Sequence, residues 1–381
     1  MHISERELEL PETVLEKLSE IAAEKHDIIN LGVGEPDFLT PKPILDYSKK
    51  IINKVTHYTA PQGRKDLREE LIKKLKKENK IKVNENNIIV TSGSQQGLFA
   101  TLLATLDPGE EVILSNPGYL GYIPAIELVN AVPIYVKLEE NENFEINPDK
   151  IKEEIDKGKT KAVIINTPNN PTGNILSKKI LEEIADIAVE NDLYIFSDEA
   201  YERLVYDKKH ISIGSLNGME DYVVSFFTFS KTYAMCGFRL GYCVVPDNLI
   251  KPVIKTSQYM NLCAPNISQS LGIKALSISN SYINKMVNEY NRRRKFIVDK
   301  LNLLGLKTNI PDGAFYAFAN IKNVTKKTSK EFADEILKKC KVAVIPGTEF
   351  GKYGEGYLRF SYANKIELIK KAMEKLEKFL K

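Results

Sequence analysis

Cysteine and histidine are scarce in this 381-residue sequence, with four of each. Cys236, Cys243, Cys263 and Cys340 form no CxxC pair. That spacing argues against zinc and against a disulfide framework, and it fits a reducing compartment. His2, His26, His57 and His210 stand singly, so a metal cluster is not expected. Charge of one sign is missing too: 54 Lys and Arg face 51 Asp and Glu, for a net charge of +3. Neither nucleic acid nor an anionic membrane is the expected partner. No apolar run nears the roughly 18 residues of a membrane span. Met1 to Leu10 is charged and has no apolar signal core, so a cytoplasmic location is expected.

What is present is alternation. Hydrophobic residues make up 43% of the chain, in short runs and amphipathic stretches. The length suffices for two domains, or a large one with a smaller appendage. Seven strand-like runs are spaced too widely for hairpins: 87–91, 111–115, 132–138, 162–166, 193–197, 222–229 and 240–245. Helix-like stretches at 95–106 and 177–191 lie between them. Continuous apolar runs such as Ala162-Val163-Ile164-Ile165 suit parallel strands buried on both faces. The expected fold is α/β, with a mostly parallel seven-stranded sheet covered by helices. Helices at 11–25 and 67–79 precede or flank it. After about residue 272 the pattern changes to long helical stretches at 281–304, 329–339 and 366–380, with strands at 342–345 and 357–361. Arg292-Arg293-Arg294 is expected on a solvated helix side. The implied division is 1–45 and 273–381 as two parts of a small α+β domain, and 46–272 as the large domain.

Chemistry-bearing residues recur at strand ends, where open α/β sheets bind ligands. Lys231 follows the apolar run 222–229 among small and hydroxyl residues, with Arg239 eight positions on. A lysine so placed suits imine formation with an aldehyde cofactor whose phosphate lies near Thr228, Ser230 and Arg239. Thr91-Ser92-Gly93-Ser94-Gln95-Gln96-Gly97 leads into a helix, whose free N–H groups favour an anion. It lacks the lysine and spacing of a Walker loop. Asn166-Thr167-Pro168-Asn169-Asn170-Pro171-Thr172-Gly173 ends another strand, and Ser197-Asp198-Glu199-Ala200-Tyr201 a further one. A carboxylate at the end of an apolar strand calls for a partner, and a protonated ring nitrogen is one.

Taken in order and spacing, these strings resemble the fold-type I, pyridoxal-phosphate-dependent aminotransferases of class I/II, the aspartate aminotransferase-like family. The likeness also rests on Leu31-Gly32-Val33-Gly34-Glu35-Pro36-Asp37-Phe38, Tyr58 to Arg68, Ser230 to Gly241 and Leu358 to Ala363. It spans Asn30 to Ala363. The resemblance implies that Lys231 holds pyridoxal 5'-phosphate as an imine and then shuttles a proton. Asp198 would pair with the ring nitrogen. Asn170 and Tyr201 would hydrogen-bond the ring's phenolic oxygen, favouring its ionised form. Backbone N–H groups of Ser94 and Gln95, the side chains of Thr228 and Arg239, and Tyr58 from a second subunit would hold the phosphate. Tyr119 would stack on the ring. Arg359 would take the substrate α-carboxylate, with Gly34 and Asn170 beside it. The shared site implies a homodimer.

Substrate choice is less determined. The stretch 95–106 contains no Lys or Arg, nor do the residues between Lys255 and Lys274, so no cation for a second carboxylate is evident there. A partner subunit could supply one. Phe38, Phe99, Tyr122 and Tyr259 favour aromatic or broad donors over aspartate by a small margin, with 2-oxoglutarate as acceptor. The alternatives are a β-eliminating lyase on the same fold and a non-catalytic pyridoxal-phosphate-binding regulator, for whose DNA-binding segment no room is expected. A nicotinamide dehydrogenase is disfavoured, because no GxGxxG follows the first strand.

Overall fold

The computed structural model describes residues 2–4, 7, 8, 10 and 27–381. The helix expected at 11–25 lies outside the described residues. A two-residue strand, β1 (Ile29–Asn30), precedes seven longer ones. These are β2 (Ile88–Thr91), β3 (Glu111–Asn116), β4 (Val132–Lys137), β5 (Thr160–Asn166), β6 (Tyr194–Asp198), β7 (Val223–Thr228) and β8 (Gly241–Val244). All seven form one sheet in the order β2-β8-β7-β6-β5-β3-β4. Alternate residues of β5 enter different cores, as the two-residue period of a strand requires. Val163 and Ile165 pack with the helix Lys178–Asn191, while Ala162 and Ile164 pack on the face covered by Ser94–Thr105 and Tyr122–Leu128.

The register of this sheet builds the functional edge. Asn166 of β5 lies beside Asp198 of β6, and Asp198 beside Phe226 of β7. β8 runs antiparallel to both neighbours, so its first residue, Gly241, pairs with the last residues of β2 and β7, Thr91 and Thr228. One antiparallel strand in an otherwise parallel set thus returns Arg239 to the edge where the other strands end.

The C-terminal third adds β9 (Lys307–Thr308), β10 (Tyr316–Asn320), β11 (Val342–Ala343), β12 (Ile345–Pro346) and β13 (Tyr357–Ser361). An antiparallel sheet has the order β12-β13-β10-β9, and β1 pairs in parallel with β11. The single strand expected at 342–345 is therefore divided between two sheets. Its helices are Ser281–Leu303, Ser329–Cys340 and Ile366–Leu380. Ile29 and Leu31 pack into the core these elements share.

The arginine triplet corrects one expectation. Only Arg292 is solvated. Arg293 and Arg294 are 5% and 1% exposed. Successive helix residues point about 100° apart, so three in a row cannot share one face. Arg293 pairs with Asp37 and Glu289, while Arg294 donates to Asp207 and the Pro311 carbonyl. Among the described residues, no helix is long and apolar enough to cross a membrane.

Candidate active site

The strand ends of the large sheet, the segment after β1, and β10 and β13 enclose a cavity of about 510 Å³. Eleven of the twelve expected site residues line it: Gly34, Ser94, Gln95, Tyr119, Asn170, Asp198, Tyr201, Thr228, Lys231, Arg239 and Arg359. Tyr58 does not, and its side chain is 83% exposed.

Lys231 sits in the one-turn helix Phe229–Thr232 at the end of β7. Thr228 starts that turn, its hydroxyl accepting from the Ser230 N–H at 3.1 Å. The Lys231 amine donates to the Gly34 carbonyl at 2.6 Å. It thus reaches across the cavity to the segment following β1.

One cavity wall is built for an anion. The helix Ser94–Thr105 starts after Gly93 with no side-chain cap and no acidic residue in its first turn. Its leading N–H groups and dipole favour negative charge. Gly93 has φ +84°, and a Cβ there would lie 2.6 Å from Arg239 Nη2. The Arg239 guanidinium therefore lies directly over the helix start. A Cβ on Gly241 would lie 2.5 Å from the Ser94 nitrogen, so close approach of β8 also depends on a missing side chain.

The opposite end carries the carboxylate. Asp198 Oδ2 accepts from the Tyr122 hydroxyl at 2.6 Å, and Oδ1 from the Ala200 N–H at 3.1 Å. Burial raises the Asp198 pKa, and the hydrogen bonds from Tyr122 and Ala200 oppose that rise. Its neighbour Glu199 is fully buried and is bonded to Ser197, His210 and Ser212. Asp198 is the carboxylate of this pair that lines the cavity.

Arg359, on β13, is 2% exposed. Its Nη1 donates to Asn170 Oδ1 at 3.0 Å, and Nη2 to the Gly32 carbonyl at 2.7 Å. The guanidinium carbon lies 4.2 Å from the Tyr316 ring centroid and 4.8 Å from that of Phe350. Nε is buried without a partner. Burial pulls its pKa down from the ordinary value, but an arginine starts so high that it keeps its charge. Asn170 is held in turn by Asn166, whose Oδ1 accepts from the Asn170 N–H at 2.8 Å.

The sequence pattern does not reveal the contacts of Tyr122 and Tyr316. Tyr122 follows Tyr119 by three residues, and the two rings meet edge-on at 5.2 Å. Tyr316 shares a 2.8 Å hydroxyl–hydroxyl hydrogen bond with Tyr201. Burial raises the phenol pKa of Tyr122 and Tyr201 well above the ordinary value, and that of Tyr119 to about 12. These three hydroxyls are neutral donors at ordinary pH. The described His, Cys, Asp and Glu residues form no group of three able to hold a metal ion.

The chain is similar to known proteins over nearly its whole length. The family described as aminotransferase class I and II matches residues 26–376. An aspartate aminotransferase of Pyrococcus abyssi is 45% identical over 372 residues, which cover 96% of this chain and 95% of that protein. Aromatic-amino-acid aminotransferase 2 of Thermococcus litoralis is 42% identical over 386 residues, covering 100% of this chain and 99% of that one. The solved aromatic aminotransferase of Pyrococcus horikoshii OT3 matches with a TM-score of 0.90 at 43% identity, over 95% of this chain and 98% of that chain. The chain belongs to the class I and II aminotransferase family and is a transaminase.

Proposed function

We propose that this enzyme moves an amino group between an L-amino acid, aromatic ahead of aspartate, and a 2-oxo acid such as 2-oxoglutarate. Pyridoxal 5'-phosphate on Lys231 is the proposed cofactor. The observation that carries the reading is the convergence of Lys231, Asp198 and Arg359 on a single cavity, opposite an uncapped helix start. The residues fit that group. Ser94, Gln95, Thr228 and Arg239 suit its phosphate, Asp198 a protonated ring nitrogen, and Tyr119 the ring face. Tyr201 and Asn170 suit its phenolic oxygen. When bound, the cofactor supplies an aldehyde for the amino group and a ring that accepts the electron pair left at Cα.

The chain's own groups do the rest. Arg359 takes the α-carboxylate through its planar donors, with Gly34 and Asn170 alongside. Lys231, once its amine is free, is the base and acid that moves the Cα proton. Asp198 keeps a negative charge at the far end of the cavity. Among the described residues, the cations of the cavity wall are Lys231, Arg239 and Arg359. Each has a task, so among the described residues none supplies a cation for a second substrate carboxylate. Tyr119, Tyr122, Tyr201, Phe226 and Tyr316 give the wall aromatic surface. Relatives named for aspartate and for aromatic amino acids both occur, which keeps the margin small.

Exposed Tyr58 supports a homodimer in which it reaches the second subunit's phosphate. The proposed division is 1–45 with 273–381, and 46–272. Its junctions fall within the helices Lys42–Ile51 and Asn266–Leu276. Four free thiols suit a cytoplasmic location.

The test is the visible spectrum of purified protein with pyridoxal phosphate, beside Lys231→Ala. Wild type should be yellow, bleach with borohydride and lose its colour to an amino acid. Lys231→Ala should show no borohydride-fixed cofactor. Equal spectra would refute the assignment of Lys231. A substrate panel tests the donor. Aspartate turned over far faster than phenylalanine or tyrosine would reverse the order. Release of pyruvate and ammonia without an acceptor would mark a lyase instead.

A further inference from the structure

The Tyr201–Tyr316 hydrogen bond joins a residue expected to bind cofactor to one that lies against Arg359. Tyr201 follows β6 and faces the cavity. Tyr316 opens β10, and its ring lies against the Arg359 guanidinium. A Cβ added to Gly34 would lie 3.2 Å from the Tyr316 hydroxyl, so that hydroxyl borders the segment to which Lys231 donates. The oxygens of Tyr201 and Tyr316 are 2.8 Å apart, and either can be the donor.

A hydroxyl has one proton and two lone pairs. If Tyr201 gives its proton to Tyr316, it turns lone pairs toward the cavity and repels an ionised oxygen there. If Tyr316 gives its proton to Tyr201, the Tyr201 proton is free to point into the cavity. Donation in series also polarises the second O–H and strengthens it. We infer that Tyr316 is a positioning residue: it donates to Tyr201 and so directs the Tyr201 proton onto the phenolic oxygen of bound pyridoxal phosphate. The inference rests on the cofactor reading above. The other titratable or charged groups facing this pair include Arg359 on β13, Lys231 after β7, Tyr119, Tyr122 and Tyr362. None of them is altered by the test.

The holoenzyme reports the relay through its colour. The pH midpoint of the visible absorption depends on how well the ionised phenolic oxygen is stabilised. In Tyr316→Phe the ring against Arg359 remains and only the hydroxyl is lost. The midpoint should rise by about one pH unit, a tenfold change in the proton equilibrium. KM for the amino acid should stay within about twofold, because ground-state contacts to the carboxylate are kept. An unmoved or lowered midpoint would overturn the relay. Tyr201→Phe provides the second variant, independent of whether Tyr316→Phe folds. It should raise the midpoint at least as far, and no rise there also overturns the proposal. In the double variant, Tyr316→Phe should add nothing to Tyr201→Phe, since it acts through that residue. An additive shift would refute the route. A wild-type protein that gains no colour would overturn the cofactor reading and the relay with it. A coloured wild type whose midpoint ignores Tyr316 would overturn the relay alone.

Discussion

Replacing Tyr122 with Phe removes one hydroxyl and leaves a ring able to keep its edge contact with Tyr119. The lost bond is the 2.6 Å donation to Asp198 Oδ2. Burial already drives the Asp198 pKa upward, and Tyr122 is the strongest of the groups opposing it. A hydrogen bond to a charged group contributes about 1.5–3 kcal/mol. At 1.36 kcal/mol per unit, its loss should raise the Asp198 pKa by about one to two units. The sign follows from the proton count. A more basic Asp198 stays protonated to higher pH, so the charge proposed to face the cofactor nitrogen is lost earlier as pH falls. The acid limb of kcat/KM should move up by about one unit or more, and cofactor should bind more weakly than in wild type as pH falls through that limb. Both are measured on refilled apoenzyme, by fluorescence quenching for the cofactor and by coupled assay for the profile. An acid limb and a cofactor affinity that match wild type would refute the claim that Tyr122 keeps Asp198 charged.

Two other perturbations test different parts of the molecule. Arg359→Lys keeps the charge but loses the planar fork that spans the Asn170 and Gly32 acceptors and packs against Tyr316 and Phe350. It should lower kcat/KM by about 10²-fold or more, as loss of a bidentate charged contact worth roughly 3 kcal/mol requires, and steady-state kinetics within tenfold of wild type would refute it. Glu289 is held at about pKa 2, first by the hydrogen bond from Arg292 and also by that from Arg293, against an ordinary 4.5. Its stabilising contribution is present above about pH 4.5 and is lost as pH falls toward 2, so Glu289→Gln should flatten the acid side of a urea-midpoint curve, and an unchanged slope would refute this.

Much of the site was legible because parallel strands end together. Thr91, Asn166, Asp198 and Thr228 each follow an apolar run, and each ends a strand at the same sheet edge. The local strings therefore carried positional meaning before any contact was known. Cross-chain pairings were not legible. Tyr122 and Asp198 are 76 residues apart, Tyr201 and Tyr316 115, and Asn170 and Arg359 189. No periodicity links such pairs, because they depend on how separate elements dock. The buried Arg293 and Arg294 escaped for a related reason. Their partners, Asp37 and Asp207, lie on other segments, so a charge run read alone resembles a solvated face. Residues 342–346 divide between two sheets because β1 and β13 both need an edge there, which an unbroken apolar run does not reveal.

The surroundings of Arg359 carry their own argument about substrate. Removing a guanidinium from water costs several kcal/mol unless its charge is answered. Asp37 and Glu289 answer Arg293 with carboxylates. Among the described residues, Arg359 receives only a carbonyl, an amide oxygen and two aromatic faces, and Nε has no acceptor. A protein carboxylate here would stabilise the free enzyme and compete with the substrate carboxylate proposed to bind Arg359. Neutral partners fix the orientation of the fork while leaving its charge uncompensated. The segment after β1, the loop after β5 and the strand β13 all supply part of that arrangement, so the proposed affinity for a carboxylate depends on all three being docked together.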